Sequence, residues 1–281
     1  MKKLLIFLLL CSLGFSQYNT PINFELLEER DGLYYQYNSP KPFSGKVFNI
    51  QGRSEGSFRN GKKSGKFSFY FDNGQLKSQG YYSNNLQQRK WTYYYENGQI
   101  NGTGSYKDGD GTDLIEDTEI PTHGRTGQWK YFYENGQLEF KATYKNGLYG
   151  PFKLYYENGQ LKSEGTVKDG KEDGPYKSYY ENGQIKMDNT FRNGIQIGAH
   201  ESFYDNGNKN YLYYYNQDGT RDSTIKLKRW YENGQLWYEG YVITVDDEDV
   251  WNGTYKSYYE DGQLKSEKTY KNGELIDSQE Y

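Results

Sequence analysis

His123 and His200 are the only histidines in this 281-residue chain, and Cys11 is its only cysteine. Acid-base or zinc chemistry needs such groups converging on one point. His123 instead falls in an irregular stretch, and His200 takes the place of an aromatic residue after Gly198. No GxSxG, HExxH or phosphate-cradling glycine loop is present. Asp108, Asp110 and Asp113 in "DGDGTD" offer oxygen ligands for calcium, but their order departs from an EF-hand loop, so a solvated loop is expected. Carboxylates recur everywhere, so no pair of them defines a hydrolase dyad. No catalytic residue, metal ligand or cofactor site is expected. What remains is tyrosine: Tyr70, Tyr94, Tyr155, Tyr179 and Tyr258 recur at equivalent places and should form a ladder able to stack on sugars or grip a protein. Packing of the sheet is the leading reason for them.

The elements that position this ladder are repeats. Gly74, Gly98, Gly136, Gly159, Gly183, Gly207, Gly234 and Gly262 all sit in the pattern [ED][ND]G[QN], most of them 23 or 24 residues apart. Gaps of 38, 27 and 28 mark longer loops. A second turn row follows at Gly109, Gly147, Gly170, Gly194 and Gly273, each preceded by Asn or Asp. Asn-Gly and Asp-Gly between extended residues signal two-residue type I′ hairpins, in which both central residues take positive φ. Between the turns, Tyr, Phe, Thr and Val alternate with Lys, Glu and Ser, a period of two. The fold class is therefore all-β: an elongated antiparallel β-hairpin array, a single-layer meander that twists and curls over its apolar face.

Counting outward from Asn158-Gly159 predicts Tyr156 opposite Leu161, Tyr155 opposite Lys162, Lys153 opposite Glu164 and Phe152 opposite Gly165. Phe67 opposite Gly80 would repeat the arrangement of a ring over a cross-strand glycine. Phe152, Leu154, Tyr156, Leu161 and Ser163 then share one face, while Lys153, Tyr155, Glu157, Lys162 and Glu164 share the other. Glu96, Glu134, Glu157, Glu181, Glu232 and Glu260 flank one turn row. Arg59, Lys107, Lys145, Lys168, Arg192 and Lys271 flank the other, so one edge is acidic and one basic. Solvated turn chemistry accounts for most of this; a docking track for an oppositely patterned partner is the second reading.

Residues 1–16 differ from all that follows. Lys2 and Lys3 precede an apolar run from Leu4 to Leu10, too short to span a bilayer, with small residues Gly14 and Ser16 before Gln17. This reads as an export signal cut after Ser16. Leu10 disfavours a lipid anchor on Cys11, and the exported chain would lack cysteine. Hydrophobic residues make up 34%, against roughly 45–50% in globular domains, while aromatics reach 19% with 33 tyrosines. Stability must come from a thin aromatic core. The formal charge is −4, or −6 without Lys2 and Lys3, and is mixed along the chain, which argues against nucleic acid and against an anionic membrane. After the signal come a lead-in at 17–44 and the repeat domain at 45–281, with insertions near 110–126, 216–229 and 243–252. "NIQGRSEG" at Asn49–Gly56 lacks the NG turn and is expected to cap the array.

"GPFKLYYENGQLKSEGTVKDG" and its siblings resemble the bacterial MORN-repeat variant, as in antitoxins of the YwqK type. The resemblance runs from about Phe43 to the C-terminus over eight copies, and "DGLYYQYNSPKPFSGKV" is similar to the usual lead-in. It implies an elongated hairpin array and neutralisation of a partner protein. "GQWKYFYENGQLEF" is also similar to choline- and glucan-binding hairpins, though tryptophan is scarcer here. The expected function is an exported, non-catalytic repeat scaffold for protein–protein interaction, antitoxin- or immunity-like. The alternative is a cell-wall or polysaccharide-binding module of the envelope.

Overall fold

The computed structural model describes residues 20–50, 53–114, 119–145, 148–246 and 248–281. The export signal, its cut after Ser16, Cys11 and the turn at Gly147 lie outside the described residues. The architecture is a long meander in which nearly every strand pairs antiparallel with the one before and after it. The series runs from Gly45–Ile50 and Ser54–Arg59 through such strands as Leu148–Tyr155 and Leu161–Lys168 to Leu264–Lys271 and Glu274–Glu280. The lead-in contributes a short parallel strand, Ile22–Asn23, against Gly45–Ile50. It also contributes a separate hairpin, Leu27–Arg30 with Leu33–Gln36.

The two turn rows differ in kind. In the second row both central residues take positive φ, as at Asn60-Gly61 (49° and 75°), Asp169-Gly170 (51° and 79°) and Asn193-Gly194 (50° and 82°). These are type I′ turns, matching the right-handed twist of the strands they join. In the first row only the glycine is left-handed, with φ of 83° at Gly159. There Gly159 N–H donates to Tyr156 O and Tyr156 N–H to Gln160 O, both at 2.8 Å. That is a type I turn closed by a glycine bulge, not the two-residue turn read from Asn-Gly. The extra loop residue moves the register, so Tyr155 pairs with Leu161 rather than Lys162, and Tyr156 passes into the turn. Beyond the bulge Lys153 faces Glu164 and Phe152 faces Gly165.

Asn158 explains the difference. Its Oδ1 accepts from Gln160 N–H at 2.9 Å, while its Nδ2–H reaches Glu181 O in the next repeat. The same two-way use recurs at Asn97, Asn135, Asn182, Asn206 and Asn233. An Asn side chain used this way satisfies its own turn and ties it to the neighbour. A second tie comes from the tyrosine preceding each turn: the hydroxyls of Tyr95, Tyr133, Tyr156, Tyr180, Tyr204 and Tyr231 donate to a main-chain carbonyl one repeat on, at 2.7–2.9 Å. Each such bond contributes roughly 0.5–1.5 kcal/mol. The repeat's most constant letters are thus rung-to-rung fasteners.

The core lies along one face. Trp91, Tyr93, Tyr106, Trp129, Tyr131 and Tyr144 form its main cluster, and Leu27, Val47, Ile50, Phe58 and Phe67 seal the lead-in end. The expected ring-over-glycine device is present: at Gly165 a built Cβ would lie 3.1 Å from the expected Phe152 ring and equally close to Tyr176, whereas at Gly80 the ring is a different one. Gly80 pairs with Phe67, but a Cβ built there would strike Trp91 at 2.1 Å; at Gly56 it would strike Phe67 at 2.3 Å and at Gly104 Trp129 at 2.1 Å. Trp91, Phe67 and Trp129 each lie back over the glycine of an earlier strand, where no side chain holds the ring off the sheet. On the opposite face Lys153–Glu164 (2.6 Å), Lys177–Asp188 (2.7 Å) and Lys256–Glu267 (3.0 Å) are cross-strand ion pairs.

The insertions are structured. Strand Ile100–Gly109 runs through the Asp108-Gly109 pair read as a turn, and Gly109 has no positive φ. The 243–252 insertion is a longer hairpin, with Val242 opposite Trp251 and Thr244 opposite Asp249. In the 216–229 segment Gly219 N–H donates to Asn216 O at 3.1 Å, another turn of the first-row kind.

Candidate functional site

The described part of the 108–127 insertion is divided: residues 110–114 and Glu119 are exposed, as expected of a solvated loop, while Ile120, Pro121 and Arg125 are buried against the core. Ile120 and Arg125 are both 0% exposed. Arg125 Nε donates to Pro121 O at 2.8 Å, Nη2 to Ile120 O at 3.0 Å and Nη1 to the Tyr144 hydroxyl at 3.3 Å. The guanidinium also lies 4.6 Å from the Trp129 ring centroid and 5.4 Å from those of Tyr131 and Tyr144. A desolvated cation is costly unless its donors are met, and these carbonyls and ring faces meet them. Tyr106 ties the same peptide, donating to Pro121 O at 2.6 Å and accepting from Tyr93 OH at 3.2 Å. Burial pushes the Tyr106 hydroxyl up to about 12 and that of Tyr93 further. Both stay neutral donors at physiological pH.

Anchored this way, the insertion brings Glu119 to the mouth of a cleft of about 1030 Å³. Phe69, Phe71, Tyr93 and Tyr95 contribute rings to its lining, with Ser54 and Ser78 between them. Asp72, Glu96 and Glu134 come from three successive first-row turns. Lys77 Nζ lies 2.6 Å from Glu119 Oε2 and 5.6 Å from the Phe71 ring centroid. The Tyr95 hydroxyl is held up by burial, then by the charges of Glu139 and Glu134. Chemically this is an aromatic, acidic, water-open trough. It is suited to cationic and amphipathic groups, not to a confined reaction.

The five nominated tyrosines are all half-buried. Tyr70 and Tyr94 border the cleft, the Tyr94 hydroxyl accepting from Gln79 at 3.0 Å. Tyr155 lies under Lys141, and the Tyr179 hydroxyl donates to Glu164 Oε1 at 2.9 Å, which with burial pushes it up to about 12. Tyr258 lends its carbonyl to Tyr231. Their neighbours are thus charged side chains and fasteners. The members that sequence reasoning missed are the tyrosines one place later, such as Tyr95 and Tyr156. Their recurrence beside seven of the eight turns, with Phe71 at the other, was the available signal. His123 Nδ1 lies 3.1 Å from Asp110 Oδ1. His200 stacks on Tyr213 with centroids 4.3 Å apart and an 11° interplanar angle. The two histidines do not meet at one centre. Among the described residues no group of three or more His, Cys, Asp and Glu side chains could hold a metal ion. No helix among them is long and apolar enough to cross a membrane.

Comparison with known proteins agrees with this architecture. No curated protein matches the chain. Among solved structures the chain is similar to "Crystal Structure of TcdB2-TccC3" at 12% identity and a TM-score of 0.22, over 88% of this chain and 14% of that one. It is similar to "Crystal Structure of TcdB2-TccC3-Cdc42" at 10% identity and a TM-score of 0.19, over 88% and 16%. The chain therefore spans a small fraction of the chains it matches. The MORN repeat variant matches residues 63–84, 90–108, 125–146, 148–169, 172–193, 224–243 and 251–272. The unmatched unit around Gly207 makes the same turn, Gly207 N–H donating to Tyr204 O at 3.0 Å. With stacked glycine-bulge turns running through its hairpins and the repeat variant matched over half its length, the chain belongs to the MORN repeat variant family.

Proposed function

We propose that this protein is an exported, non-catalytic scaffold that holds a partner protein, in the manner of an antitoxin or immunity protein of the envelope. MORN repeats are interaction modules, which supplies the class. The observation that carries the reading is the cleft: the longest departure from the repeat, the 38-residue gap between Gly98 and Gly136, buries Ile120 and Arg125 in the core and contributes Glu119 to the cleft lining. A hairpin array carrying an open, aromatic and acidic trough suits recognition better than turnover. Export rests on the residue types of 1–16.

Photo-crosslinking in cells, with the reactive residue at Asn97 in the cleft and separately at Lys177 on the polar face, tests the scaffold reading. A discrete protein adduct is expected. The absence of adducts at both positions across growth conditions sinks it. A mature N-terminus at Gln17 in envelope fractions is the expected result for export. A glycan partner has weaker support, since three of the nominated tyrosines, Tyr94, Tyr155 and Tyr179, are engaged by Gln79, Lys141 and Glu164. Co-sedimentation with peptidoglycan would restore it.

A further inference from the structure

The cleft carries four carboxylates against one lysine, and that lysine already shows what the site takes. Lys77 presents its ammonium to the Glu119 carboxylate and lies within reach of the Phe71 ring face. Cation on ring plus cation on carboxylate is the combination by which aromatic, acidic surfaces hold basic side chains. Asp72, Glu96 and Glu134 are exposed and come from consecutive first-row turns, with two strands between each turn and the next. At about 4.8 Å per strand, that places successive carboxylates roughly 10 Å apart along the trough. A single amine or a metal ion reaches one of them. A segment in the polyproline II conformation, with three residues per turn and about 3.1 Å per residue, presents every third side chain on one face at about 9 Å, close to that interval.

We propose that the cleft binds a polyproline II segment of a partner protein with Lys or Arg at every third residue. The bases lie on Asp72, Glu96 and Glu134, while Lys77 holds the Glu119 end of the trough until the ligand arrives. This deepens the scaffold reading and rests on it. The first-row turns continue past the cleft with further carboxylates, Glu157 and Glu181, but Glu119 belongs to the insertion and walls only this part of the row. The site is local, not the whole edge.

The test uses the purified chain and a fluorescein-labelled twelve-residue peptide of four Lys-Ser-Ala units. Its comparison is a peptide of identical composition with the four lysines together. Anisotropy titration at low salt is expected to show at least fivefold tighter binding of the spaced peptide. The Glu96→Gln, Glu134→Gln double variant should weaken it at least tenfold. Glu157→Gln with Glu181→Gln, on the same row outside the cleft, should change it less than twofold. Lys77→Gln should tighten it severalfold by freeing Glu119. Equal binding of the two peptides, equal loss in the two double variants, or displacement by spermine as effective as by the peptide would each overturn the assignment in favour of diffuse attraction. A cleft crosslink to the partner that survives Glu96→Gln, Glu134→Gln would leave the scaffold standing and remove only this ligand.

Discussion

Gly104→Ala is the sharpest test of how the sheet is packed. Gly104 lies in strand Ile100–Gly109 with no positive φ, so alanine meets no backbone strain. Its Cβ, however, would lie 2.1 Å from Trp129 Cδ2 and 2.2 Å from Cε2. The indole has nowhere to go. It is 0% exposed, its Nε1–H donates to Ser105 O at 3.1 Å, Tyr106 stands edge-on at 4.9 Å, and Arg125 covers it at 4.6 Å. Forcing an extra methyl into a packed core costs about 1–3 kcal/mol. Disturbing the indole hydrogen bond adds about 1 kcal/mol. Replacing a strand glycine returns about 0.5–1 kcal/mol. The expected net destabilisation is about 2–3 kcal/mol, a urea midpoint lowered by about 1 M at an m-value near 2 kcal/mol/M. Gly150→Ala is the control, because its Cβ would find nothing nearer than Thr143 O at 3.8 Å; it should be neutral or slightly stabilising. Circular dichroism through a urea titration reads both. A midpoint for Gly104→Ala within about 0.3 M of the parent, or equal losses in the two variants, refutes the ring-over-glycine account. Combining Gly104→Ala with Trp129→Leu should cost less than the sum of the single changes, since the clash is shared.

Asn182→Asp keeps the acceptor used by Gln184 N–H but removes the donor to Asp205 O at 2.6 Å, and should lower stability by about 1 kcal/mol in thermal melts. Asp261→Asn should be close to neutral, because Asp261 supplies its own turn with the acceptor needed by Gln263 N–H. Arg125→Met strips a buried cation from the Ile120 and Pro121 carbonyls; a loss of about 2–4 kcal/mol and faster proteolysis between 110 and 124 are expected, with unchanged cleavage there as the adverse result. Burial, then the nearby Arg221 charge, hold His200 below its usual value, so the folded state favours the neutral ring. The unfolded chain then binds more protons: this contribution is full above about pH 6.5 and is lost as pH falls through and below that value. His200→Phe should flatten the decline in melting temperature between pH 7 and 5.5. Glu164 is held below its usual value first by the Lys153 hydrogen bond, so its contribution persists at neutral pH and fades only below about pH 4.5.

Much of the ribbon was readable because turn glycines and alternating strands are local signals. Two-residue turns at Asn60-Gly61 and Asn193-Gly194 need nothing beyond their own φ angles. The glycine-bulge turns at Gly159 and its equivalents were misread as the same type: there the Asn or Asp side chain accepts from the N–H two residues on, as at Asn158, Asp218 and Asp261, a contact that the dipeptide alone does not specify. The error propagated two residues, to Tyr155 and Tyr156, and stopped at the bulge. The nominated tyrosines lie half-buried on the strands, where Tyr94, Tyr155 and Tyr179 meet Gln79, Lys141 and Glu164. Their neighbours at the turn, Tyr95 and Tyr156 among them, fasten the repeats.

Read alone, the amino-acid order specifies hairpins, their period and their two chemically distinct faces, since these follow from backbone conformations a few residues long. It could not say that Ile120, Pro121 and Arg125 turn inward while Asp110 and Glu119 stay exposed. That outcome depends on a buried guanidinium finding the Ile120 and Pro121 carbonyls, the Trp129 and Tyr131 rings of its own strand and the Tyr144 ring of the next, an arrangement completed only once the sheet has formed. The cleft beside it has the same origin: its carboxylates are scattered from Asp72 to Glu134 along the chain and are gathered by the stacking of turns.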